Sequence, residues 1–452
     1  MHFRTRLRSF VVTCAMLSMA ACGADINDAP PRLIPGGGIG DGDILGLVNV
    51  TVIDGDTDEP IANASVLLGE PGETLLEGLT DSAGLAIIKD GALDGPTTIT
   101  VVADGYVPST WFGANGANMT VPLTARDATV DIPQATLSGT IEGWNDLPEP
   151  PTNHIFVGLV TYSQTANIGD PENELPQGGM LENACVKIPI LGGQCNFAVN
   201  ARTGTVALYA VIADVDTKGT ADQTDDTIEV MGGAYKLGIQ VEDGVDQSGL
   251  LLPQLEAGAM EEITVTTATP PSGLTAGVIL GMDLGESGII NAGLINPEQG
   301  NSALLPSQVG DFAGATYRAV GFATEENGGA ASAIVLRDIV DASAGIDMGD
   351  WLDLPLQLAV DGGTFTFTPV AGVGLHTVDI DDAAGDRQWN IALVDGRTSF
   401  TLPGLDPDPL PTGELTFKVN ALQGDIDLGD FSIDELINSI ERTSSNDATF
   451  TN

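Results

Sequence analysis

The residues between positions 214 and 225 have the types and spacing of a calcium-binding loop. Taken as twelve positions, the stretch places aspartates at one, three, nine and twelve: Asp214, Asp216, Asp222 and Asp225. Gly219 stands at position six, where such a loop turns sharply, and carboxylate oxygens are good Ca²⁺ ligands. However, Lys218 occupies position five, where an oxygen ligand is expected, and the last acid is not the usual glutamate. The sequence leaves two interpretations open: a weak Ca²⁺ site, Ca²⁺ being the only cofactor indicated, or a solvated acidic hairpin loop.

Residues that commonly carry catalysis are too scattered to form a recognisable site. The histidines are His2, His154 and His376, and none has a glutamate three positions on. A zinc centre and a Ser-His-Asp triad both need partners for the histidine. The glycine run from Gly36 to Gly42 lacks the Lys-Ser/Thr that closes a phosphate-binding loop. The many carboxylates of the chain leave a glycosidase-type carboxylate pair as an open alternative. We nevertheless predict no catalytic residues and no enzyme.

Tryptophan rings could serve as platforms for sugars, or they could fill the core of a β-sandwich. The four tryptophans are Trp111, Trp144, Trp351 and Trp389. Aromatic residues make up only 5% of the chain, which favours the core interpretation. Exposed rings would instead favour a carbohydrate-binding protein.

The charge of the chain excludes one class of partner. Sixty-three acidic residues face sixteen basic ones. Nucleic acids require a basic surface, so we predict no nucleic-acid partner. The acidity indicates cation binding, or solubility and adaptation of a secreted protein to salt.

The first twenty-two residues have the features of an export signal. Three arginines precede the apolar run from Phe10 to Met19, which is too short to span a bilayer. Met19-Ala20-Ala21-Cys22 resembles the bacterial lipobox. That resemblance implies a lipoprotein signal peptide over residues 1–21, a diacylglycerol on Cys22 and a membrane contact through this lipid. Gly23 in place of aspartate favours the outer membrane or cell surface, and an ordinary cleaved signal peptide is the alternative.

Two further cysteines, Cys185 and Cys195, remain after the signal peptide and Cys22. An exported chain meets an oxidising compartment, where two nearby cysteines commonly pair. We therefore predict a disulfide between them. A metal-binding pair is the alternative, although neither cysteine has a neighbouring histidine or a second Cys-x-x-Cys.

The best-formed module follows a Pro- and Gly-rich stretch, 22–42, that we predict to be a flexible tether. Residues 43–128 contain short strands separated by Gly/Asp/Pro turns, which indicates an antiparallel sandwich. Within them, Pro60, Ala64, Thr80-Asp81-x-x-Gly84 and Gly105-Tyr106 stand in an order that resembles the carboxypeptidase regulatory-like domain, over about residues 43–124. This resemblance implies a transthyretin-like (prealbumin-like) sandwich in a carbohydrate-binding-like fold group, without peptidase activity.

The remaining chain divides into three further β-rich units. We predict a second sandwich at 135–268 with the cysteine hairpin and the acidic loop, and a third β-rich region at 269–360. The last unit, 361–452, loosely resembles a fibronectin type III sandwich. Ser432-Ile433-Asp434-Glu435 reads as a capping box that starts a helix, which we expect to pack on this last sandwich.

Together these patterns predict an all-β chain of tandem antiparallel β-sandwich domains with one short C-terminal helix. The function they favour is that of a lipid-anchored protein of a bacterial cell envelope, with a non-catalytic binding or structural role. Its partner would be a glycan or an envelope protein. The alternative is a carbohydrate-binding surface protein that takes part in polymer uptake or adhesion.

Overall fold

The chain folds into β-sandwiches and carries a single short α-helix within its described part. The computed structural model describes residues 33–34, 36–73, 75–126, 133–163, 184–188, 195–220, 226–256, 258–297, 300–325, 328–406 and 408–452. Within these residues no helix is both long and apolar enough to cross a membrane. The predicted all-β fold class is confirmed.

Three of the four sandwiches share one continuous sheet. It has twelve strands. In spatial order they are β18 (Ile289–Ile295), β17 (Thr275–Asp283), β20 (Thr316–Thr324), β21 (Ala331–Ile339), β29 (Ile440–Thr451), β28 (Glu414–Gly424), β25 (Leu375–Asp382), β26 (Arg387–Leu393), β7 (Ser109–Ala114), β6 (Thr97–Val102), β3 (Ser65–Leu68) and β4 (Leu76–Leu79). The third module therefore lies at one end, the first module at the other, and the fourth between them.

Each of these three modules is completed by a smaller sheet. The first has β1 (Gly38–Ile39), β8 (Asn118–Leu123), β2 (Leu45–Asp54) and β5 (Leu85–Asp94). The third has β19 (Ser302–Pro306), β16 (Met260–Thr266) and β22 (Ile346–Asp347). The fourth has β23 (Leu356–Asp361), β24 (Thr364–Thr368) and β27 (Ser399–Thr401).

The second module has two sheets of its own. One contains β11 (Ala184–Lys187), β10 (His154–Tyr162), β13 (Gly204–Asp216) and β14 (Thr227–Val241). The other contains β12 (Asn196–Arg202), β9 (Gln134–Ile141) and β15 (Gln247–Leu252). The alternation of Val206, Leu208, Ala210 and Ile212 along β13 fills the core between them.

Strand pairing among the described residues is antiparallel except in four parallel pairs, and three of these occupy the same place in their modules. In the first three modules the first long strand pairs in parallel with the last strand: β2 with β8, β9 with β15 and β16 with β22. Two strands that run the same way take the chain in at one end of a sandwich and out at the other. A fourth parallel pair, β26 with β7, joins the fourth module to the first.

The two faces of the long sheet serve different modules where β7 and β26 meet. Trp111 belongs to the core of the first module, whereas the next residue, Phe112, belongs to the core of the fourth. Successive residues of a strand point to opposite faces. The small sheets of the first and fourth modules therefore cover opposite faces of the shared sheet.

Local contacts of the first module confirm the turn read from its sequence. The Thr80 hydroxyl accepts from the Ala64 N–H at 2.8 Å and donates to the Ile61 carbonyl at 2.7 Å. The Asp81 carboxylate accepts from the backbone N–H groups of Ala83 and Leu85, and Gly84 has a φ of 73°. Glycine suits this position because a left-handed backbone strains other residues.

The predicted tether is wrong for its last residues. Gly36 to Gly40 are buried, and Gly38–Ile39 pair as β1 with β8. A Cβ at Gly40 would lie 1.9 Å from the Asn118 carbonyl oxygen, so glycine is needed for close approach and not for flexibility. Residues 22–32 of the predicted tether lie outside the described part of the chain.

The C-terminal helix, α1 (Ile433–Ser439), starts at the predicted capping box. Ser432 Oγ accepts from the Glu435 N–H at 3.2 Å, and the Glu435 carboxylate accepts from the Ser432 N–H at 3.4 Å. The expectation that the helix packs on the last sandwich is wrong, because Ile433 and Leu436 lie in the core of the first module. The helix belongs to the connection from β28 to β29, on the sheet face that the first module covers.

Candidate functional site

Half of the predicted calcium loop lies at the end of β13, and its carboxylates already have side-chain partners. His154 Nδ1 lies 2.9 Å from Asp214 Oδ1, and Lys218 forms an ion pair with Asp216. The pKa of Asp216 is lowered from its ordinary value because Lys218 donates hydrogen bonds from its side chain and backbone. A Ca²⁺ ion at these oxygens would have to displace both partners.

The other half of that loop, including Asp222 and Asp225, lies outside the described residues. Among the described ones, no group of three His, Cys, Asp or Glu side chains is placed to hold a metal ion. Weak Ca²⁺ binding therefore stays a prediction. Lys218, which departs from the calcium pattern in sequence, is also the residue that engages Asp216.

The disulfide lies inside the second module and connects its two sheets. Cys185 belongs to β11, Cys195 immediately precedes β12, and their Cα atoms are 4.9 Å apart in the bonded pair. Both are buried, and a Cβ at Gly158 would lie 3.3 Å from Cys195 Sγ and 2.9 Å from the Trp144 ring. Glycine thus allows the indole and the disulfide to pack on the same side of β10.

The tryptophans occupy cores and module contacts. Trp111, Trp144 and Trp389 are 5%, 2% and 1% exposed. Trp351 is partly buried against the third core, and its Nε1 donates to the Ala268 carbonyl at 2.9 Å. The core interpretation is confirmed for Trp111, Trp144 and Trp389, whereas Trp351 is half-buried beside the third core.

His376 is a packing residue of the fourth module. It is 3% exposed, its ring lies 5.2 Å from the Phe367 ring, and its Nε2 accepts from the Val370 N–H at 3.4 Å. Burial lowers the pKa of His376 to about 4, so the ring is neutral at physiological pH. A neutral, enclosed ring of this kind has no access to a substrate.

Arg397 of the fourth module forms hydrogen bonds and an ion pair with the first module. Arg397 forms two 3.0 Å hydrogen bonds to Glu70 of the first module, and its guanidinium lies 4.4 Å above the centre of the Phe112 ring. It also pairs with Asp395 at 2.7 Å. These hydrogen bonds lower the pKa of Glu70. Sequence reasoning missed this contact because its partners are 327 positions apart.

A further ion network, partly buried, stands on the sheet face of the fourth module. Arg387 donates to Asp379 and Asp381 at 2.6 Å each, and to Asn390 at 2.8 Å. Asn420 donates to the other oxygen of Asp379 at 3.0 Å. Two carboxylates, two amides and one guanidinium are thereby held together, and the arrangement stabilises strand register.

One open pocket of about 420 Å³ lies beside α1. Its lining combines the carboxylates of Asp425, Asp427, Asp430 and Glu435 with the apolar side chains of Ile426, Phe431 and Leu436. The carboxylates face an open, solvated space. By themselves they define no reaction.

Comparison with known proteins gives no family. No protein-family model matches the chain, and no curated protein matches it either. Solved structures do match, among them the TIE protein of Bacillus anthracis, with 10% identity and a TM-score of 0.16. That match covers 67% of this chain and 49% of the other, so the chain spans about half the length of that protein.

Two other matches extend over nearly the whole length of the solved protein. The full-length major pilin SpaD from Corynebacterium diphtheriae is 10% identical, with 68% of this chain and 95% of the pilin covered at a TM-score of 0.14. A candidate carbohydrate-binding protein from Bacteroides uniformis is 9% identical, with 43% and 98% covered at a TM-score of 0.14. TM-scores this low carry no argument. The two family resemblances seen in the sequence stay expectations. The multi-module β-sandwich rests on the structure of this chain alone.

Proposed function

We propose that this chain is a lipid-anchored protein of a bacterial cell envelope with a non-catalytic structural or binding role. The observation that carries the proposal is the twelve-stranded sheet that runs through three sandwich cores. Modules joined only by linkers can reorient freely. Here, reorientation would break main-chain hydrogen bonds between β21 and β29 and between β26 and β7. A scaffold of this kind suits the display of a fixed surface.

The surroundings of the histidines support a non-catalytic role. A general base must be within hydrogen-bond reach of the proton it removes. The His376 ring is buried and neutral, and His154 is held by Asp214. A hydrolase panel against glycans, esters, peptides and phosphoesters tests this part. Turnover that persists after repurification and is lost on mutation of one carboxylate pair would contradict it.

The lipid anchor rests on the lipobox-like sequence, which lies outside the described residues. We expect Cys22→Ser to release the protein from the membrane fraction into the periplasm or the medium. Cys14→Ser is the matched control, because this cysteine lies within the predicted leader and should leave fractionation unchanged. Equal membrane retention of Cys22→Ser and the natural chain would contradict the anchor.

The carbohydrate-binding alternative lacks its expected platform. Sugar sites commonly use flat aromatic faces, and the tryptophans are buried or turned into module contacts. A glycan array with the Cys22→Ser protein separates the two functions. Specific glycan binding would favour the alternative. The proposed role predicts that the array shows no specific glycan binding.

A further inference from the structure

A segment near the C-terminus contacts three of the four modules. We call residues 431–451, which include α1 and β29, the C-terminal strap. Its helix packs into the core of the first module, and β29 lies between β21 of the third module and β28 of the fourth. A domain normally closes a core made of its own residues. Here one segment belongs to three modules at once.

The C-terminal strap supplies part of the first module's core. Phe431, Ile433, Leu436 and Ile440 are each 8% exposed or less, and all four lie in the core cluster of that module. The ring of Phe431 stacks on Trp111 with 6.3 Å between the ring centres. Apolar surface that these side chains cover would otherwise face water. The first module is therefore incomplete until the strap is in place.

The strap also holds the first strand of the first module. β1 pairs with β8 on one side, and on the other side Gly38 forms a β-bridge with Ser432. The Ile433 N–H donates to the Gly37 carbonyl at 2.9 Å. A Cβ at Gly38 would lie 2.5 Å from the Phe431 carbonyl oxygen, so the two backbones are in direct contact. β1 is thus enclosed between β8 and the strap.

An arginine of the third module fixes the helix of the strap. Arg337 of β21 donates to the carbonyls of Ile440 at 2.7 Å and Ile437 at 3.2 Å. Both carbonyls lie at the C-terminal end of α1, where carbonyls lack partners within a helix and a cation is favoured. β29 continues from there and pairs with β21 and, along nearly its whole length, with β28. The third module therefore supports the first through the strap.

The second module is closed by its own residues. Within the described chain, its two sheets contain only strands from Gln134 to Leu252. Every residue of its core cluster also lies between positions 135 and 252. Its disulfide lies in the same range. The core of this module can close once Leu252 is present, with no contribution from the strap.

We propose that the first module completes its fold only when the C-terminal strap docks, and therefore after the second module has folded. A chain emerges from its N-terminal end during synthesis, so Leu252 is present long before Leu436. Gly38 and Ser432 are almost four hundred positions apart, and contacts that close so long a loop form slowly. The strap thus reverses the order in which the two modules stand in the sequence. This order depends on the sheet topology and not on the lipid anchor.

Hydrogen exchange of the Cys22→Ser protein, read by mass spectrometry, tests the role of the strap. Arg337→Met removes two hydrogen bonds from the third module to α1. We expect exchange in β1 and β8 of the first module to accelerate about tenfold. Arg202→Met is the matched control, because Arg202 donates to the carbonyls of Thr203 and Thr205 within the second module. It should leave β1 and β8 unchanged.

Pulsed hydrogen exchange during refolding of the Cys22→Ser protein measures the order of folding. We expect β9 and β12 of the second module to gain protection first. β1 and β8 should gain protection later, in one phase with α1 and β29. Because this measurement uses the unsubstituted strap, it decides the order even if Arg337→Met does not fold.

Three results would overturn the proposal. Protection of β8 before β29 during refolding is the first, since the module would then close without the strap. Unchanged exchange of β1 and β8 in Arg337→Met is the second, because the strap would then not connect the third module to the first. The third is an equal acceleration of β1 and β8 by Arg337→Met and Arg202→Met, which would show a general loss of stability.

Discussion

Replacement of Leu436 by alanine should weaken the first module, although the residue stands more than three hundred positions away from β2. Leu436 is 4% exposed and belongs to the core between the two sheets of that module. The truncation removes three buried carbon atoms, or about 2.4 kcal/mol at about 0.8 kcal/mol each. Because α1 borders an open pocket, the structure can relax and add little cavity cost. We expect a loss of about 2–3 kcal/mol, at the low end for buried leucine to alanine.

Hydrogen exchange measured by mass spectrometry localises this loss. A change of about 2–3 kcal/mol in the opening equilibrium should accelerate exchange about 30- to 150-fold. We expect the acceleration in β1, β8 and α1, whose contacts join the two ends of the chain. Leu45→Ala is the control, because that side chain is 74% exposed and its truncation should cost less than about 0.5 kcal/mol.

The outcome that refutes the reasoning is equally local. If Leu436→Ala accelerates exchange in β23, β24 and β27 while β1 and β8 keep their protection, the helix supports the fourth module. A loss as small as that of Leu45→Ala would show that the helix contributes no core packing.

Two further predictions concern covalent and ionic contacts. Reduction of the bond between Cys185 and Cys195 should lower the stability of the second module by about 2–3 kcal/mol, because the short loop it closes is freed in the unfolded chain. Intact mass and free-thiol counts before and after reduction check it, and the fluorescence of Trp144, packed nearby, should change; two free thiols before reduction would refute it. A double-mutant cycle of Glu70→Gln and Arg397→Met should give a coupling of about 0.5–1 kcal/mol, as for partly exposed pairs. The pKa of Glu70 is lowered in the fold, so this stability is present above the unfolded pKa and is lost as the pH falls through the folded value; a coupling that persists in acid would contradict the ion pair.

The sequence contains the local features of this fold. Alternating valines in β2, the turn at Thr80-Asp81 and the capping box at Ser432 each depend on residues within one element or one turn, and the structure has all three. The cysteine pair is similarly local, since ten positions separate its members. Such features are readable because one short stretch carries the whole signal.

The order of the modules in the shared sheet could not be read in the same way. It depends on which strand edges pair, as in β21 with β29, and main-chain edges look alike in sequence. Ser332 and Ser444, small buried polar residues at that pairing, gave no signal of their own. The glycines near residue 40 predict a flexible spacer, whereas the structure uses them for a close approach of two backbones. Glycine suits both roles, so the sequence alone does not distinguish them.

The candidate calcium site also depends on a contact between residues that are distant in sequence. The calcium pattern placed oxygens at suitable intervals but could not show that His154, sixty positions before Asp214, would occupy one of them.

The shared sheet is tested most directly by a cross-link between β21 and β29. Ala333 and Thr443 are directly paired in the register of these strands. The double variant Ala333→Cys/Thr443→Cys should form an intramolecular disulfide on mild oxidation, seen by intact mass after alkylation. Ala333→Cys/Thr449→Cys, whose second position pairs only with β28, should keep both thiols free. Free thiols in the first pair, or equal cross-linking in both, would contradict the continuous sheet on which the proposed scaffold role rests.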